Sequence, residues 1–322
     1  MINARIHVVI PAYKVSNQVL SVVSNIDSRI ERIFVVDDGC PEHSGKLVEN
    51  RVSDPRVSVI YNRKNMGVGA AVILGYKESL KSGADIIVKI DGDGQMDLRY
   101  LPNLIAPLLS GDADYCKGNR FFALKEIKSM PFIRTIGNIG LSLLNKLSTG
   151  YWSILDPTNG FTAIHRLALT NLDLEEISKR YFFESDMLFY LGTIDAVVAD
   201  VPIPAIYGSE ISNLKVSRSV FEFAFKHIKN LIRRIKFRYV LQNFTFASIG
   251  ILFGPPLFLS GFIVGAYSWI HSLITNQPTA IGTQFFVLLS ILTGIQGIAI
   301  FANQDSRSEP KVSIQERARQ HD

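Results

Sequence analysis

Charged side chains are missing from one long stretch of this sequence. From Tyr239 to Gln304, a run of 66 residues, there is no Asp, Glu, Lys or Arg, although 20% of the whole chain is charged. If charges were scattered at random, a gap of this length at a given place would have a probability of roughly four in ten million. The gap therefore excludes a uniformly water-soluble chain and indicates a membrane region.

Two apolar runs inside this gap, 245–270 and 281–302, each exceed the roughly 20 residues that a spanning helix needs. Two buried core helices are the alternative interpretation. The connector 271–280 has no Lys or Arg, whereas both flanks of the gap carry them, so the positive-inside rule places both ends in the cytoplasm. The sequence predicts an integral membrane protein with a hairpin over 244–302 and a cytoplasmic tail over 303–322.

Cysteine is also scarce, and this narrows the class of protein further. Cys40 and Cys116 fit a reducing compartment and suggest no disulfide framework. The six histidines are scattered without an HExxH pattern, so no zinc site is expected. The N-terminus, "MINARIHVVIPAY", enters a strand pattern directly and shows no apolar region of a signal peptide. We therefore expect most of the chain to be cytoplasmic.

Short runs rich in Ile and Val alternate with helical patterns near the N-terminus. The predicted strands are 6–13, 32–39, 57–62 and 85–94, and the predicted helices between them are 16–27, 41–52 and 68–82. This alternation is typical of an α/β domain with a parallel sheet covered on both faces. Ligands of such sheets bind at the carboxyl ends of the strands. Two of the runs end in paired acids, Asp37-Asp38 and Asp91-x-Asp93, which predicts both pairs on one edge.

The stretch "VKIDGDGQMD" (88–97) is a candidate cation site. Asp91 and Asp93 can bind Mg²⁺ or Mn²⁺ through carboxylate oxygens, and Gln95 can add a carbonyl oxygen. A cation held in this way typically serves a pyrophosphate. A solvated turn is the alternative. The nearby Gly67-x-Gly69 pair does not continue as a dinucleotide fingerprint, so we interpret it as a tight strand-to-helix turn.

A basic amphipathic helix is predicted over 216–243, directly before the first span. Residues 215–243 contain eight Lys and Arg and one Glu. Such a helix fits the surface of a membrane with anionic lipids. A nucleic-acid partner is disfavoured because the helix runs directly into a membrane span.

Four segments resemble the nucleotide-sugar half of the family 2 glycosyltransferases: "VVIPAYK" (8–14), "FVVDDGC" (34–40), "NRKNMGVGAAVILGY" (62–76) and "KIDGDGQMD" (89–97). Three later segments resemble its polyprenyl-phosphate branch, which is dolichol-phosphate-mannose-synthase-like: "KGNRFF" (117–122), "DPTNGFTAIHR" (156–166) and "RYFFESDMLFYL" (180–191). The resemblance implies a GT-A fold over 1–215, a Rossmann-like and mostly parallel sheet with helices on both faces. It also implies a nucleotide-sugar donor and inverting transfer.

Carried over by position, the resemblance implies a donor site. Its residues would be Pro11 and Tyr13 at the base, Asp38 at the nucleoside, Asp91, Gly92, Asp93 and Gln95 at the metal and diphosphate, and Arg120 beside the phosphates. Two positions depart from the family pattern: Val15 stands where many relatives have an acid, and Cys40 replaces a small hydroxyl residue. These departures leave UDP-sugar and GDP-mannose open as donors.

The acceptor decides which side chains are needed. A hydroxyl acceptor needs a general base, for which Asp186 or Glu184 is a candidate, although either could instead cap or orient a helix beneath the active site. A lipid phosphate is mostly dianionic at neutral pH and needs cations instead. The candidate cations are Arg120, Arg134, Arg166, Lys215 and Arg218.

The membrane hairpin favours transfer of a hexose to a polyprenyl phosphate, with Arg134 as the first candidate to bind the acceptor. Transfer to a glycan or lipid hydroxyl with Asp186 as base is the alternative enzyme. A non-catalytic membrane scaffold is the alternative of another class. The sequence leaves the oligomeric state open, a homo-oligomer included.

Overall fold

The computed structural model describes residues 4–120, 132–204 and 216–320, and of 132–139 and 216–220 it describes the backbone alone. The chain divides into two units. The first combines Met1–Ile228 with Pro310–Asp322, and the second is Lys229–Glu309.

Within the described residues, the first unit is built on a seven-stranded sheet. Its strands are Ile6–Ala12 (β1), Arg32–Asp37 (β2), Val57–Tyr61 (β3), Ile86–Lys89 (β4), Tyr115–Asn119 (β5), Thr162–His165 (β6) and Val198–Pro202 (β7). Their order is β3-β2-β1-β4-β6-β5-β7. β1 pairs in parallel with β2 and β4, β2 with β3, and β5 with β7, while β6 runs antiparallel to β4 and β5. The predicted mostly parallel α/β sheet is confirmed.

Helices cover both faces of this sheet. The described helices up to residue 234 are Val19–Ser24 (α1), Ser44–Arg51 (α2), Val68–Lys81 (α3), Leu101–Ser110 (α4), Phe132–Thr149 (α5), Arg166–Thr170 (α6), Phe183–Thr193 (α7) and Val216–Arg234 (α8), the last of which continues into the second unit. Strand side chains alternate between the two layers, so in β1 Val8 and Ile10 join one core cluster and Val9 joins the other. All three are fully buried. Burial on both faces explains why these strands read as continuous apolar runs.

A short C-terminal segment also belongs to the first unit. Ser313 caps the helix Ile314–Arg319, and its hydroxyl donates to the carbonyl oxygen of Gly111 at 2.6 Å. The buried carboxylate of Asp114 accepts the backbone N–H of Ile314 at 2.9 Å. The side chain of Gln315 donates to the Ala113 carbonyl oxygen at 2.8 Å. The end of the chain is therefore packed against the residues that precede β5.

The second unit contains a π-helix, Ile235–Gln242, and two long helices, Phe246–Thr275 (α9) and Ile281–Arg307 (α10). Glycines let these helices approach closely: a Cβ built on Gly250 would lie 2.4 Å from the Gly297 carbonyl oxygen. Small residues at such contacts are typical of membrane helices. Only 17% of the most apolar window of each helix is buried. The core-helix alternative is therefore wrong, because core helices are buried.

One ion pair joins residues on the two sides of the uncharged stretch. Arg234 at the end of α8 forms an ion pair with Asp305 near the end of α10, and both side chains are buried. The Tyr239 hydroxyl also donates to the Asp305 carboxylate. These three groups compensate one another, which a buried charge requires.

Candidate active site

The acidic loop after β4 forms one wall of a hollow of about 140 Å³. Asp91, Asp93 and Gln95 line it, together with Arg120 from the end of β5. The loop turns at Gly94, whose φ is +75°, and the Asp93 carboxylate accepts the backbone N–H of Gln95 at 3.0 Å. The carboxyl end of β4 therefore places acids and a cation around one opening.

Asp97 has a different role from the other acids of the loop. Its carboxylate accepts the backbone N–H of Arg99 and forms an ion pair with the Arg99 guanidinium at 2.7 Å. Hydrogen bonds from Arg99 lower the pKa of Asp97. Asp97 thus caps the turn that follows the loop. A wider hollow of about 420 Å³ lies between α1 and the same loop, and Arg99 is among the residues that line it.

Asp37 and Asp38 both hold neighbouring loops. The Asp37 carboxylate accepts the backbone N–H groups of Cys40 and Gly45, each at 2.7 Å. The Asp38 carboxylate accepts the Asn62 side chain at 2.8 Å, and the backbone N–H groups of Met66 at 2.9 Å and Gly67 at 2.8 Å. Asp38 is 2% exposed. Its observed contacts fix the entry to α3, and its contact with a nucleoside stays a prediction.

Gly67 is the residue that turns the chain into α3. Its φ is +101°, and an added Cβ would lie 2.4 Å from the carbonyl oxygen of Lys179. Only glycine accepts both that backbone conformation and that close approach. The structure agrees with the interpretation of Gly67-x-Gly69 as a strand-to-helix turn.

The end of β1 lies against the acidic loop. Pro11 is buried and Tyr13 is 40% exposed, with the Lys14 ammonium 5.7 Å from the centre of its ring. A Cβ added to Gly92 would lie 3.1 Å from Val15 and 3.3 Å from the Pro11 carbonyl oxygen. Gly92 thus lets the acidic loop pack on β1, and Val15 lies at that contact. The roles of these residues in binding a base stay predictions.

Arg120 is held by a buried carboxylate. Its Nε donates to Asp156 Oδ2 at 2.7 Å and its Nη2 donates to Asp156 Oδ1 at 3.0 Å. The Asp156 side chain is fully buried, while 40% of the Arg120 side chain is exposed. Such a two-point pair fixes the plane of the guanidinium. Asp156 therefore orients Arg120 at the edge of the hollow.

Two buried lysines lie beneath the site. Lys89 forms ion pairs with Asp91 at 2.7 Å and Glu184 at 2.9 Å. Burial acts to lower its pKa, but the charges of Asp91 and Glu184 outweigh burial and raise it. The Lys117 ammonium donates to the Asn159 carbonyl oxygen. Burial lowers the pKa of Lys117 to about 8. Of these two lysines, Lys89 forms an ion pair with Asp91 of the acidic loop, whereas the partner of Lys117 is a backbone carbonyl oxygen.

The two candidate bases on α7 are both engaged. Glu184 is bound by Lys89 and is 12% exposed. Asp186 is 5% exposed, and its carboxylate accepts the backbone N–H of Ser178 at 2.8 Å. These contacts match the helix-orienting alternative, and the role of Asp186 as a general base stays a prediction.

The candidate acceptor-binding cations do not all lie together. Placing Arg166 near the site is wrong: its guanidinium lies 3.7 Å from Asp85, at the amino end of β4. The reason is that β6 runs antiparallel to β4, with His165 opposite Ile86. Arg134 lies on α5 and Arg218 on α8, where the structure describes the backbone alone, and Lys215 lies outside the described residues.

Sequence reasoning missed Lys89 and Asp156 as parts of the site. Lys89 carried a signal, because a charge in a strand that is otherwise apolar needs a buried partner. Asp156 is the first residue of the segment "DPTNGFTAIHR", but nothing in the neighbouring sequence indicates that its partner is Arg120, 36 residues earlier. Gly160 of the same segment is equally constrained, because an added Cβ would lie 2.2 Å from the Asp91 carboxylate.

Comparisons with known proteins give this geometry a family context. Residues 7–172 match the model of the family described as "Glycosyl transferase family 2". The UDP-N-acetylglucosamine–dolichyl-phosphate N-acetylglucosaminyltransferase of Methanococcus voltae is 31% identical in an alignment of 221 residues that covers 64% of this chain and 88% of that protein. The polyprenol monophosphomannose synthase of Mycolicibacterium smegmatis is 27% identical over 71% of this chain and 89% of that protein.

A solved structure shows the same fold. Glucosyl-3-phosphoglycerate synthase from Mycobacterium tuberculosis, determined with Mn²⁺, UDP and glucosyl-3-phosphoglycerate, aligns with a TM-score of 0.51 at 20% identity. The alignment covers 72% of this chain and 80% of that one. At this identity the likeness concerns the fold, and it agrees with the predicted GT-A architecture.

Proposed function

Because the chain belongs to glycosyl transferase family 2 and is a glycosyltransferase, we propose that it moves a hexose, with inversion, from a UDP-sugar or GDP-mannose to a polyprenyl phosphate. The observation that carries the proposal is the hollow in which Asp91, Asp93 and Gln95 meet Arg120. Two relatives support this acceptor class. The M. voltae enzyme is named for transfer to dolichyl phosphate, and the M. smegmatis enzyme is named a polyprenol monophosphomannose synthase.

The oxygen ligands at the hollow fit a hard divalent cation. In the described part of the chain no three His, Cys, Asp or Glu side chains cluster as a complete metal site. Two carboxylates and the Gln95 carbonyl oxygen still suit Mg²⁺ or Mn²⁺, which commonly bind one or two carboxylates together with substrate phosphates. When bound, the cation would neutralise charge on the leaving diphosphate.

The residues of the chain then have separate tasks. Asp91 and Asp93 bind the cation that accompanies the donor diphosphate. Arg120, held by Asp156, presents a fixed positive charge to phosphate oxygens. A phosphate monoester has a second pKa near 6, so an acceptor of this class is mostly dianionic at neutral pH. It needs no general base, which accords with an Asp186 carboxylate already used by Ser178.

The surface of α8 supports a membrane-borne acceptor. On one side of the helix Phe223 and His227 contact the Phe182 ring, with ring centres 5.4 and 4.8 Å apart. On the other side Phe221 is 78% exposed and Phe225 is 70% exposed. Exposed aromatic residues next to basic ones suit the interface of an anionic bilayer. We therefore propose that 216–243 lies at the membrane surface.

The C-terminal segment supports the proposed topology. Ser313 and Ile314 bind Gly111 and Asp114 inside the catalytic unit. A chain that leaves this unit, passes through a two-helix hairpin and returns to it must end on the side where it began. With the positive-inside rule, this supports a cytoplasmic location for the catalytic unit and both termini.

The test is a transfer assay with a panel of nucleotide sugars, offered polyprenyl phosphate or the matching alcohol. We expect transfer to the phosphate alone. We also expect Arg134→Ala to lower kcat/KM by about 10- to 150-fold and Asp186→Asn to have little effect. Efficient transfer to the alcohol, with a collapse of Asp186→Asn and an unaffected Arg134→Ala, would replace the proposal by the hydroxyl-acceptor enzyme.

A further inference from the structure

Lys89 is a buried cation directly behind the acidic loop. Its side chain is 1% exposed. The ammonium donates to Asp91 Oδ1 at 2.7 Å, to Glu184 Oε1 at 2.9 Å and to the carbonyl oxygen of Gly160 at 3.2 Å. An ammonium has three N–H groups, so each one has an acceptor. This complete set of contacts fixes the position of the charge.

Asp91 connects this buried cation to the hollow. One carboxylate oxygen is bound by Lys89, while the side chain remains 30% exposed and lines the hollow. The backbone of Gly160 closes on the pair, since an added Cβ would lie 2.2 Å from Asp91 Oδ2 and 2.6 Å from the Lys89 nitrogen. The Lys89 ammonium and the Gly160 backbone therefore together fix the orientation of the Asp91 carboxylate.

Glu184 balances the charge of the lysine. It lies in the first turn of α7, is 12% exposed and contacts the same ammonium. With Glu184 present, the cluster of Lys89, Asp91 and Glu184 carries a formal charge of −1. Without it, Lys89 alone would neutralise Asp91. Glu184 thus preserves negative charge at Asp91 while Lys89 fixes its direction.

We infer that Lys89 is a positioning residue for the reaction: with Glu184 behind it, its ammonium orients the Asp91 carboxylate toward the cation that accompanies the donor diphosphate. The inference rests on the proposed function, which supplies that cation. Partners that hold a metal-binding carboxylate in place typically contribute 10- to 100-fold to metal affinity or activity.

The test measures the Kd of Mn²⁺ by electron paramagnetic resonance, on the full chain in detergent with UDP or GDP present. Lys89→Met keeps length and apolar volume but removes all three N–H donors, and we expect Mn²⁺ to bind 10- to 100-fold more weakly. Lys117→Met is the matched control. It removes another fully buried lysine of the same sheet, whose ammonium donates to the Asn159 carbonyl oxygen, so its Kd for Mn²⁺ should remain within threefold of wild type or become tighter.

A folded Lys89→Met protein with a Kd within threefold of wild type overturns the inference. If that variant does not fold, Glu184→Gln decides. The amide oxygen still accepts from Lys89, but the balancing charge is lost, so Mn²⁺ should bind at least threefold more weakly. An unchanged Kd for Glu184→Gln with a reduced kcat would make Glu184 a catalytic base and overturn the inference. Wild-type protein that binds no Mn²⁺ would instead refute the proposed metal site, and the Lys89 inference with it.

Discussion

The pair of Arg120 and Asp156 gives the sharpest structural prediction. Asp156→Asn keeps the shape of the side chain but removes its charge and one of two acceptor oxygens. The bonds it disturbs are 2.7 and 3.0 Å long, and Asp156 is fully buried. A hydrogen bond to a charged group contributes about 1.5–3 kcal/mol. Because Arg120 is 40% exposed, water can solvate the released guanidinium, so we do not expect the larger cost of a wholly buried charge.

For a unit of this size, such a loss should lower Tm by about 3–12 °C. The less ordered guanidinium should also lower kcat/KM by about 10-fold. The matched control is Asp54→Asn, because Asp54 accepts the Nε and Nη2 of Arg56 at 3.0 and 2.7 Å but is half-buried and precedes β3, away from the hollow. It should shift Tm by a few degrees at most and leave kcat/KM unchanged.

The assays are thermal unfolding and steady-state transfer, for both variants and for the double variant Asp156→Asn with Arg120→Gln. If Asp156 acts through Arg120, the double variant should be no less active than Arg120→Gln alone. Wild-type kcat/KM in Asp156→Asn, or additive losses in the double variant, would refute the reasoning.

Three further predictions follow from separate features. Asp93→Asn should lower turnover by about 10²-fold or more, and EDTA should have the same effect until Mn²⁺ or Mg²⁺ is restored; full activity in chelator would refute the metal site. Burial raises the pKa of Asp200 to about 6, so the folded state holds its proton more tightly and the free energy of unfolding falls as pH rises from about 4 to about 6. Asp200→Asn should therefore raise the free energy of unfolding by about 1–2 kcal/mol at pH 7 and leave it unchanged below pH 4. Thermal unfolding of both proteins at the two pH values measures this difference, and an equal stabilisation at both would refute the reasoning. Both native cysteines are buried and should give little background labelling. With the proposed topology, a cysteine introduced at Gln277 should react with an impermeant reagent added from outside, while one introduced at the exposed Lys311 should not. The reverse pattern would overturn the cytoplasmic location.

Patterns that depend on local spacing were predictable from the sequence. The strands β1 to β4 follow from apolar runs of four to seven residues, because β1, β2 and β4 are buried on both faces and the edge strand β3 is partly buried. The two apolar helices follow from the gap in charge. The turn at Gly67 follows from its position before α3. In each case the cause lies within the segment itself.

Features that depend on distant parts of the chain were not predictable in this way. The direction of β6 places Arg166 at the opposite edge from Asp91, and no local pattern distinguishes an antiparallel strand from a parallel one when both are buried. The partners of Asp38 lie 24 to 29 residues away, and those of Lys89 lie up to 95 residues away. A charge in the sequence indicates that a partner exists, but only the fold selects it.

The packing of 310–320 on the residues before β5 has a practical consequence for obtaining the enzyme in soluble form. Stopping the chain before α9 would delete the membrane helices and, with them, a piece of the catalytic unit. The Asp114 carboxylate would lose the Ile314 N–H, and the Gly111 carbonyl oxygen would lose the Ser313 hydroxyl. A soluble version should instead join residue 228 to residue 310 through a flexible linker, or receive 310–322 as a separate peptide. In sequence terms, the membrane anchor is an insertion within a domain rather than an appendage at its end.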